Sequence, residues 1–167
     1  MAFWKHRELL AAGAQAPEFE LQDLGGAPQS LAAILGRGPA LLAFFKVSCP
    51  VCQYTLPFLE RIYQGAGREK GAVQIIGVSQ DKPEATRQFN QEFGVTFPAL
   101  VDDPAKGYVV SNAYGLSTVP SLVLIEPDGS VSLSGAGFTK RHLEALGHRM
   151  GVSPFRPGER VPDERPG

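Results

Sequence analysis

The sequence feature that most constrains the fold is an apolar run that leads within a few residues into a pair of cysteines. Positions 40–45 are all apolar, which predicts a strand buried on both faces of a sheet. The segment Cys49-Pro50-Val51-Cys52 follows, and Tyr54 and Phe58 then lie four residues apart, as on one face of a helix. The pattern predicts a strand, a tight turn and a helix, with both cysteines of the chain at the junction.

The position of Cys49 at this junction indicates a reactive sulfur. Cys49 falls where the helix would be capped, and there the free N–H groups and the positive end of the helix dipole favour an anion. Pro50 takes the first helical position, where a missing N–H costs nothing. The amide of Cys52 is placed to donate to the Cys49 sulfur, and the two sulfurs are close enough to form a disulfide. Because the thiolate is the reactive form of cysteine, the pattern predicts a redox site in which one sulfur attacks a partner's disulfide and the other releases the mixed disulfide.

Three other interpretations of the cysteine pair compete with the redox site. A zinc site needs two more ligands, but the chain has no second cysteine pair, and His6, His142 and His148 have no helpful spacing. A structural disulfide would close a loop too short to restrain much of the chain, and two inert core thiols would not need a helix start. The pattern favours the redox site over all three, with no metal and no cofactor.

Composition and charge set the class of protein and exclude several kinds of partner. At 167 residues, with 43% hydrophobic and 20% charged residues, the chain has the composition of one soluble globular domain. A net charge of −1 gives no basic surplus for nucleic acid, and no apolar stretch approaches the ~20 residues of a membrane span. Residues 1–16 are too weakly apolar for a signal peptide, which predicts a cytoplasmic protein, or a periplasmic one if a signal has been removed. In the cytosol a lone Cys-x-x-Cys is more often catalytic than structural.

Turn and capping signals divide the rest of the chain into strands and helices. They predict strands at 73–79, 97–101, 121–125 and 131–133, and helices at 31–35, 50–63, 83–93, 104–114 and 140–150. Gly25-Gly26 indicates an N-terminal hairpin. The order of elements predicts an α/β fold, a mixed central sheet with helices on both faces. We predict an N-terminal extension over 1–13, one domain over 14–150 and an extended or disordered tail over 151–167.

Three features together resemble the thioredoxin fold. The Cys49-Pro50-Val51-Cys52 turn follows an aromatic-rich strand, Pro57 lies five residues past the second cysteine, and Val119-Pro120 precedes a late strand. The segment from Asp81 to Tyr114 is similar to the insertion of the TlpA/ResA-like thiol-disulfide oxidoreductases and of the related redoxin (AhpC/TSA) and peroxiredoxin group. The resemblance covers roughly residues 14–150. It implies a thioredoxin-like fold with an N-terminal hairpin and a central insertion.

The resemblance also implies roles for individual residues. Cys49 is the attacking thiol and Cys52 the resolving one, and the Cys49–Cys52 pair forms the redox disulfide. Val119-Pro120 carries a cis peptide bond beside the cysteines, where the backbone pairs with an extended substrate; a trans Pro120 at a strand start is the alternative. Pro50 and Val51 line the same substrate site. The implied partners are a disulfide-containing protein or small thiol substrate and a thiol reductant such as a thioredoxin or glutathione system, and the protein is expected to be a monomer.

The chain departs from the resembled families at two positions near the cysteines. Thioredoxins keep a buried carboxylate six residues before the first cysteine, where this chain has Ala43. Several TlpA/ResA-like proteins have a glutamate three residues after the second cysteine, where this chain has Thr55. No acid or base for Cys52 is therefore left within the motif. Lys46, three residues before Cys49, is a candidate stabiliser of the thiolate, against the alternative of a solvated lysine at a strand end.

Two further functions remain as alternatives to the oxidoreductase. A thiol peroxidase of the peroxiredoxin type would have proline seven and threonine or serine three residues before its reactive cysteine. Before Cys49 these positions hold Leu42 and Lys46, so the peroxidase ranks second. A redox-inert binding module would use the surface around Pro120 to hold a partner, and the two missing carboxylates favour it.

Overall fold

A computed structural model of the chain describes residues 8–167. The predictions that concern residues 1–7, part of the N-terminal extension and His6 among them, lie outside the described residues. In chain order the elements are β1 Glu20–Asp23, β2 Pro28–Ser30, α1 Leu31–Leu35, β3 Ala40–Phe45, α2 Pro50–Gly65, β4 Gln74–Ser79, α3 Pro83–Phe93, β5 Ala99–Val101, a short 3-10 helix Pro104–Lys106, α4 Val109–Ala113, β6 Ser121–Ile125, β7 Val131–Ala136, β8 Phe138–Thr139, α5 Lys140–Met150 and β9 Glu164–Arg165. Among the described residues, no helix is both long enough and apolar enough to cross a membrane.

Seven of the strands form one mixed sheet, in the order β2-β1-β5-β4-β3-β6-β7. β3 has β4 parallel on one side and β6 antiparallel on the other. The hairpin of β1 and β2 joins this sheet because β1 pairs antiparallel with β5, a strand of the inserted segment. The predicted mixed sheet and its N-terminal hairpin are confirmed, and the insertion supplies the strand that connects them.

The apolar strand β3 separates two hydrophobic cores, because successive side chains of a strand point to opposite faces. The residues that pack with α2 and α5 are Leu41, Ala43 and Phe45. The residues that pack with α1 and α4 are Ala40, Leu42 and Phe44. All six are 0% exposed, and burying one Leu or Phe side chain stabilises the fold by about 1.5–3 kcal/mol. Burial on both faces fixes β3 inside the sheet, so the residues that follow it emerge at the sheet's edge.

The prediction of one continuous helix over 104–114 is wrong, because the helix is interrupted in its middle. Asp103 caps only one 3-10 turn, by accepting a hydrogen bond from the Ala105 N–H at 2.8 Å. Gly107 then adopts a left-handed conformation with φ 79° and ends the turn. Tyr108 is also left-handed, at φ 56°, and α4 begins only after it. The glycine breaks the helical pattern because it adopts this conformation at little cost.

The C-terminal segment 151–167 lies along α2 and α5. The Phe155 ring packs edge-on against Phe58, with ring centroids 5.1 Å apart. Arg61 forms an ion pair with Glu159 at 2.7 Å. Further along, β9 pairs antiparallel with β8, so the segment reaches the strand that precedes α5.

Candidate active site

The two cysteines lie at the end of β3 and the start of α2, as the sequence predicts. Cys49 is the N-cap residue of α2 and has an extended backbone, with φ −84° and ψ 115°. The Cys52 N–H donates a hydrogen bond to Cys49 Sγ at 3.2 Å. A hydrogen-bond donor and the positive end of the helix dipole therefore both act on the first sulfur, and both stabilise a thiolate there.

The two sulfurs have different surroundings. Cys49 is half-buried and Cys52 is completely buried, and both are free thiols. Burial, followed by the hydrogen bond with Cys49, raises the pKa of the Cys52 thiol well above its ordinary value of 9.0. Near neutral pH Cys52 therefore keeps its proton, and Cys49 is the sulfur within reach of a partner.

A cis peptide bond joins Val119 and Pro120, which confirms the geometry implied by the resemblance. The Cys49 thiol donates to the carbonyl oxygen of Val119 at 3.5 Å, so the loop before β6 touches the first sulfur. Pro120 is buried, and its carbonyl oxygen accepts from the Gly137 N–H at 2.7 Å. The loop is therefore held on one side by β7 and its turn, and on the other it faces Cys49.

The other predicted site residues differ in their solvent exposure. Pro50 is exposed at the first turn of α2, and Val51 is half-buried next to it. Thr55, at the position where several TlpA/ResA-like proteins have glutamate, is completely buried, and its hydroxyl donates to the Val51 carbonyl at 2.7 Å. The hydroxyl proton is committed to the helix backbone, so Thr55 offers no proton to Cys52.

Asp81 supports the turn that carries the cysteines, and the sequence patterns did not single it out for the site. Its Oδ2 accepts a hydrogen bond from the Val47 N–H at 2.8 Å, two residues before Cys49. Asp81 comes directly after Gln80 at the end of β4, which is parallel to β3. Carboxyl ends of neighbouring parallel strands meet at one edge of a sheet, so this strand order could have predicted the contact.

Lys46 lines the same cavity as Cys49. This cavity has a volume of about 410 Å³ and is also lined by Gln80, Tyr108 and Val119. Lys46 Nζ donates to the Tyr108 hydroxyl at 3.4 Å and lies 5.2 Å from the centre of its ring. A larger cavity of about 1110 Å³ lies beside the β1–β2 hairpin, but it is lined by neither cysteine.

The sequence patterns did not find Tyr108 as a site residue, because it was assigned to the interior of a predicted helix. Its position depends on the left-handed backbone that follows Gly107. Gln80 was missed as well, and its side chain donates to the Ser111 hydroxyl at 2.9 Å. Gln80 follows β4 directly, and its N–H donates to the Phe45 carbonyl at 2.9 Å, so the pairing of β4 with β3 positions it. Tyr108 reaches the cavity through the packing of the inserted segment onto the end of the sheet.

Comparison with known proteins identifies the family. The model of the AhpC/TSA family matches residues 12–134. The thiol-disulfide oxidoreductase ResA of Halalkalibacterium halodurans is 37% identical over 144 residues, which cover 85% of this chain and 78% of the relative. ResA of Geobacillus thermodenitrificans is 31% identical over 150 residues, 86% of this chain and 83% of the relative.

Solved structures give the same fold. The thioredoxin domain of a thiol-disulfide oxidoreductase from Bacteroides vulgatus superimposes with a TM-score of 0.72 at 21% identity, covering 84% of this chain and 99% of that one. A secreted disulfide oxidoreductase of Mycobacterium tuberculosis superimposes with a TM-score of 0.61 at 23% identity, covering 80% of this chain and 94% of that one. On the matched length, the identity to the two oxidoreductases and the shared fold, this chain belongs to the AhpC/TSA family and is a thiol-disulfide oxidoreductase.

Proposed function

We propose that Cys49 attacks the disulfide of a partner protein and that Cys52 resolves the mixed disulfide. The observation that carries the proposal is the difference between the sulfurs: Cys49 is half-buried at a helix N-terminus, whereas Cys52 is enclosed and protonated. The thiolate is the nucleophile in disulfide exchange, so the sulfur stabilised as an anion and open to solvent attacks first.

The exchange has two balanced steps. The Cys49 thiolate forms a bond to one sulfur of the partner, the partner's S–S bond breaks, and the departing sulfur takes up a proton. Cys52 then loses its proton and attacks Cys49 Sγ, which forms the Cys49–Cys52 disulfide and releases the second thiol of the partner. Two electrons pass from the cysteine pair to the partner, and the steps run in reverse when the pair is reduced.

The surroundings of Cys49 orient this reaction. The Cys52 N–H that points at Cys49 Sγ stabilises the negative charge before attack and when Cys49 is the leaving group. We assign the surface formed by Pro50, Val51, Val119 and Pro120 to the substrate. On this assignment the backbone of Val119 pairs with an extended segment of the partner, and its side chain contacts that segment.

The finer assignments concern the reductant, the assembly state and the compartment. We propose a thiol reductant of the thioredoxin or glutathione type, a monomer and a cytoplasmic location. The secreted relative from Mycobacterium tuberculosis supports export as the alternative. Alkylation of cysteines in separated cell fractions tests the compartment, because a reduced pair in the cytosolic fraction supports the first assignment and recovery outside it supports export.

Reduction of insulin by dithiothreitol tests the catalytic roles. Wild-type protein accelerates the reaction, and Cys49→Ser reduces the rate to that of dithiothreitol alone. Cys52→Ser keeps the first attack but turns over more slowly than wild type, because only dithiothreitol from solution then resolves the mixed disulfide. Equal turnover of wild type and Cys49→Ser would remove the proposed mechanism. Peroxide consumption faster than that of an ordinary thiol would instead support the peroxidase.

A further inference from the structure

The cavity beside Cys49 is where the group attached to an attacked sulfur must lie. It has a volume of about 410 Å³ and opens next to Cys49 Sγ. One wall comes from the end of β3, a second from the inserted segment through Tyr108 and Ser111, and a third from the loop at Thr118 and Val119. Gly167, the last residue of the chain, also lines the cavity, next to Val119. A disulfide that bonds to Cys49 therefore places a neighbouring group within reach of these side chains.

Lys46 brings a positive charge to this cavity that no acidic side chain balances. Within residues 8–167 the two ion pairs are Arg61 with Glu159 and Arg149 with Glu126, so Lys46 has no carboxylate within 4.0 Å. Lys46 is half-buried, which weakens its hydration and strengthens its attraction for an anion.

Two carboxylates that hold elements around the cavity are already engaged. Asp81 accepts from the Val47 N–H at 2.8 Å. Asp102 is 1% exposed and accepts from the N–H and hydroxyl of Ser111 at 2.7 and 2.6 Å, and from the Val110 N–H at 3.2 Å. Their hydrogen bonds hold elements around the cavity in place, and neither carboxylate pairs with Lys46.

Tyr108 adds a hydrogen-bond donor next to this charge. Lys46 Nζ donates to the Tyr108 hydroxyl oxygen at 3.4 Å, so the hydroxyl proton is free to point at an acceptor. Within the described part of the chain, Tyr108 is the only residue other than glycine with a positive φ. A left-handed backbone is unfavourable for tyrosine, and the surrounding contacts hold it there.

We infer that Lys46 and Tyr108 form a carboxylate-binding subsite beside Cys49, which gives the enzyme a preference for disulfides with an anionic group near the sulfur. The inference rests on the proposed attack by Cys49 and specifies the class of substrate. The ammonium and the phenol hydroxyl both donate to the carboxylate, and the carboxylate balances the lysine charge in the cavity.

Three small symmetric disulfides that differ in charge test the subsite: dithiodipropionate is anionic, hydroxyethyl disulfide is neutral and cystamine is cationic. The rate of their reaction with the reduced enzyme is divided by their rate with mercaptoethanol, which corrects for intrinsic reactivity. The normalised rate of wild type is expected to be about threefold to tenfold higher for the anion than for the neutral disulfide. This preference should shrink as salt is added.

Substitutions assign the preference to its residues. Lys46→Gln is expected to abolish the preference for the anionic disulfide, while the neutral disulfide still reacts. Lys46→Arg is expected to retain the preference, and Tyr108→Phe to reduce it. Lys70→Gln is the matched control, because it removes the same charge from an exposed loop and should leave the preference unchanged.

Two results would overturn the subsite without touching the proposed function. One is a wild-type enzyme that reacts with the neutral disulfide and shows no preference for the anion. The other is a Lys46→Gln variant slowed equally toward all three disulfides, which would assign the lysine to the Cys49 thiolate instead. Failure of the wild type to react with any of the three would contradict the proposed function as well.

Discussion

At the scale of single residues, the proposed reaction depends on two sulfurs with different surroundings. The helix N-terminus and the Cys52 N–H favour the anion at Cys49, while burial raises the pKa of Cys52. In the mixed disulfide Cys49 carries no negative charge, so its contribution to the raised pKa of Cys52 disappears and the contribution of burial remains. On the proposed mechanism, deprotonation of Cys52 therefore limits the release of the partner.

This difference predicts a release step that depends on pH. The mixed disulfide of wild type should decay about tenfold faster for each pH unit between about pH 7 and pH 9, because the fraction of Cys52 thiolate rises in that proportion below its pKa. Stopped-flow mixing of the reduced protein with an excess of a chromophoric disulfide, followed by quenching and mass measurement, gives the decay rate. A rate independent of pH over this range would mean that Cys52 is already ionised or that another group accepts its proton.

The residues at the junction were predictable from sequence because their chemistry is local. A helix start, a proline at its first position and a two-residue spacing fix the relation of Cys49 to Cys52 without knowledge of the rest of the fold. Asp81 was not found, although the parallel order of β3 and β4 indicates its contact with the cysteine turn. Tyr108 was not found because it reaches the cavity through the path of the inserted segment, for which its sequence neighbours carry no signal.

At the scale of elements, α2 links the cysteines to the segments that surround them. Glu60 of α2 is buried, and its carboxylate accepts from the N–H groups of Thr96 and Phe97 at 2.7 and 3.2 Å. Arg61, the next residue, holds the C-terminal segment through Glu159. One helix therefore positions Cys49, the entry to β5 and the segment that leads to β9.

The contact with Glu159 predicts that acid releases the C-terminal segment. The hydrogen bond with Arg61 lowers the pKa of Glu159 from 4.5 to about 2. The stabilisation that the Glu159 carboxylate gives to the C-terminal segment is therefore complete above pH 4.5 and is lost as the pH falls toward 2. The backbone amide NMR signals of Glu164 and Arg165 should then move toward random-coil positions in acid.

A pair of variants separates this effect from general acid unfolding. Glu159→Gln should shift the same NMR signals at neutral pH. Glu126→Gln, which removes the ion pair with Arg149 elsewhere in the molecule, should leave them in place. Signals that stay dispersed in Glu159→Gln would show that Phe155 and the pairing of β9 with β8 hold the segment without the ion pair.

Elements were predictable where one strong pattern covers their length. β3 and β6 were predicted with their observed bounds, because an unbroken apolar run leaves no other place than the inside of a sheet. The region 104–114 was mispredicted because Gly107 and Tyr108 both adopt left-handed conformations. A glycine in the sequence indicates that such a conformation is available, whereas a tyrosine does not.

At the scale of the whole molecule, the sheet order determines where the chemistry lies. The carboxyl ends of β3 and β4 meet the amino end of β6 at one edge, which brings Cys49, Asp81 and Val119 together from three parts of the chain. The strand–helix–strand order predicted a mixed sheet, but hairpin pairing with β5 and the fit of the inserted segment over the cavity needed the structure. The sequence of one junction therefore predicted the class of the reaction, but the sequence did not predict the shape of the substrate site.

The most direct test of the account is the identity of the sulfur that forms the mixed disulfide. Cys52→Ser protein should trap its partner as a covalent adduct that dithiothreitol releases, and peptide mass mapping should place the bond at Cys49. Cys49→Ser, with Cys52 buried and protonated, should trap nothing above background. An adduct of Cys49→Ser through Cys52, at a rate equal to that of Cys52→Ser, would contradict the assignment of the attacking and resolving sulfurs.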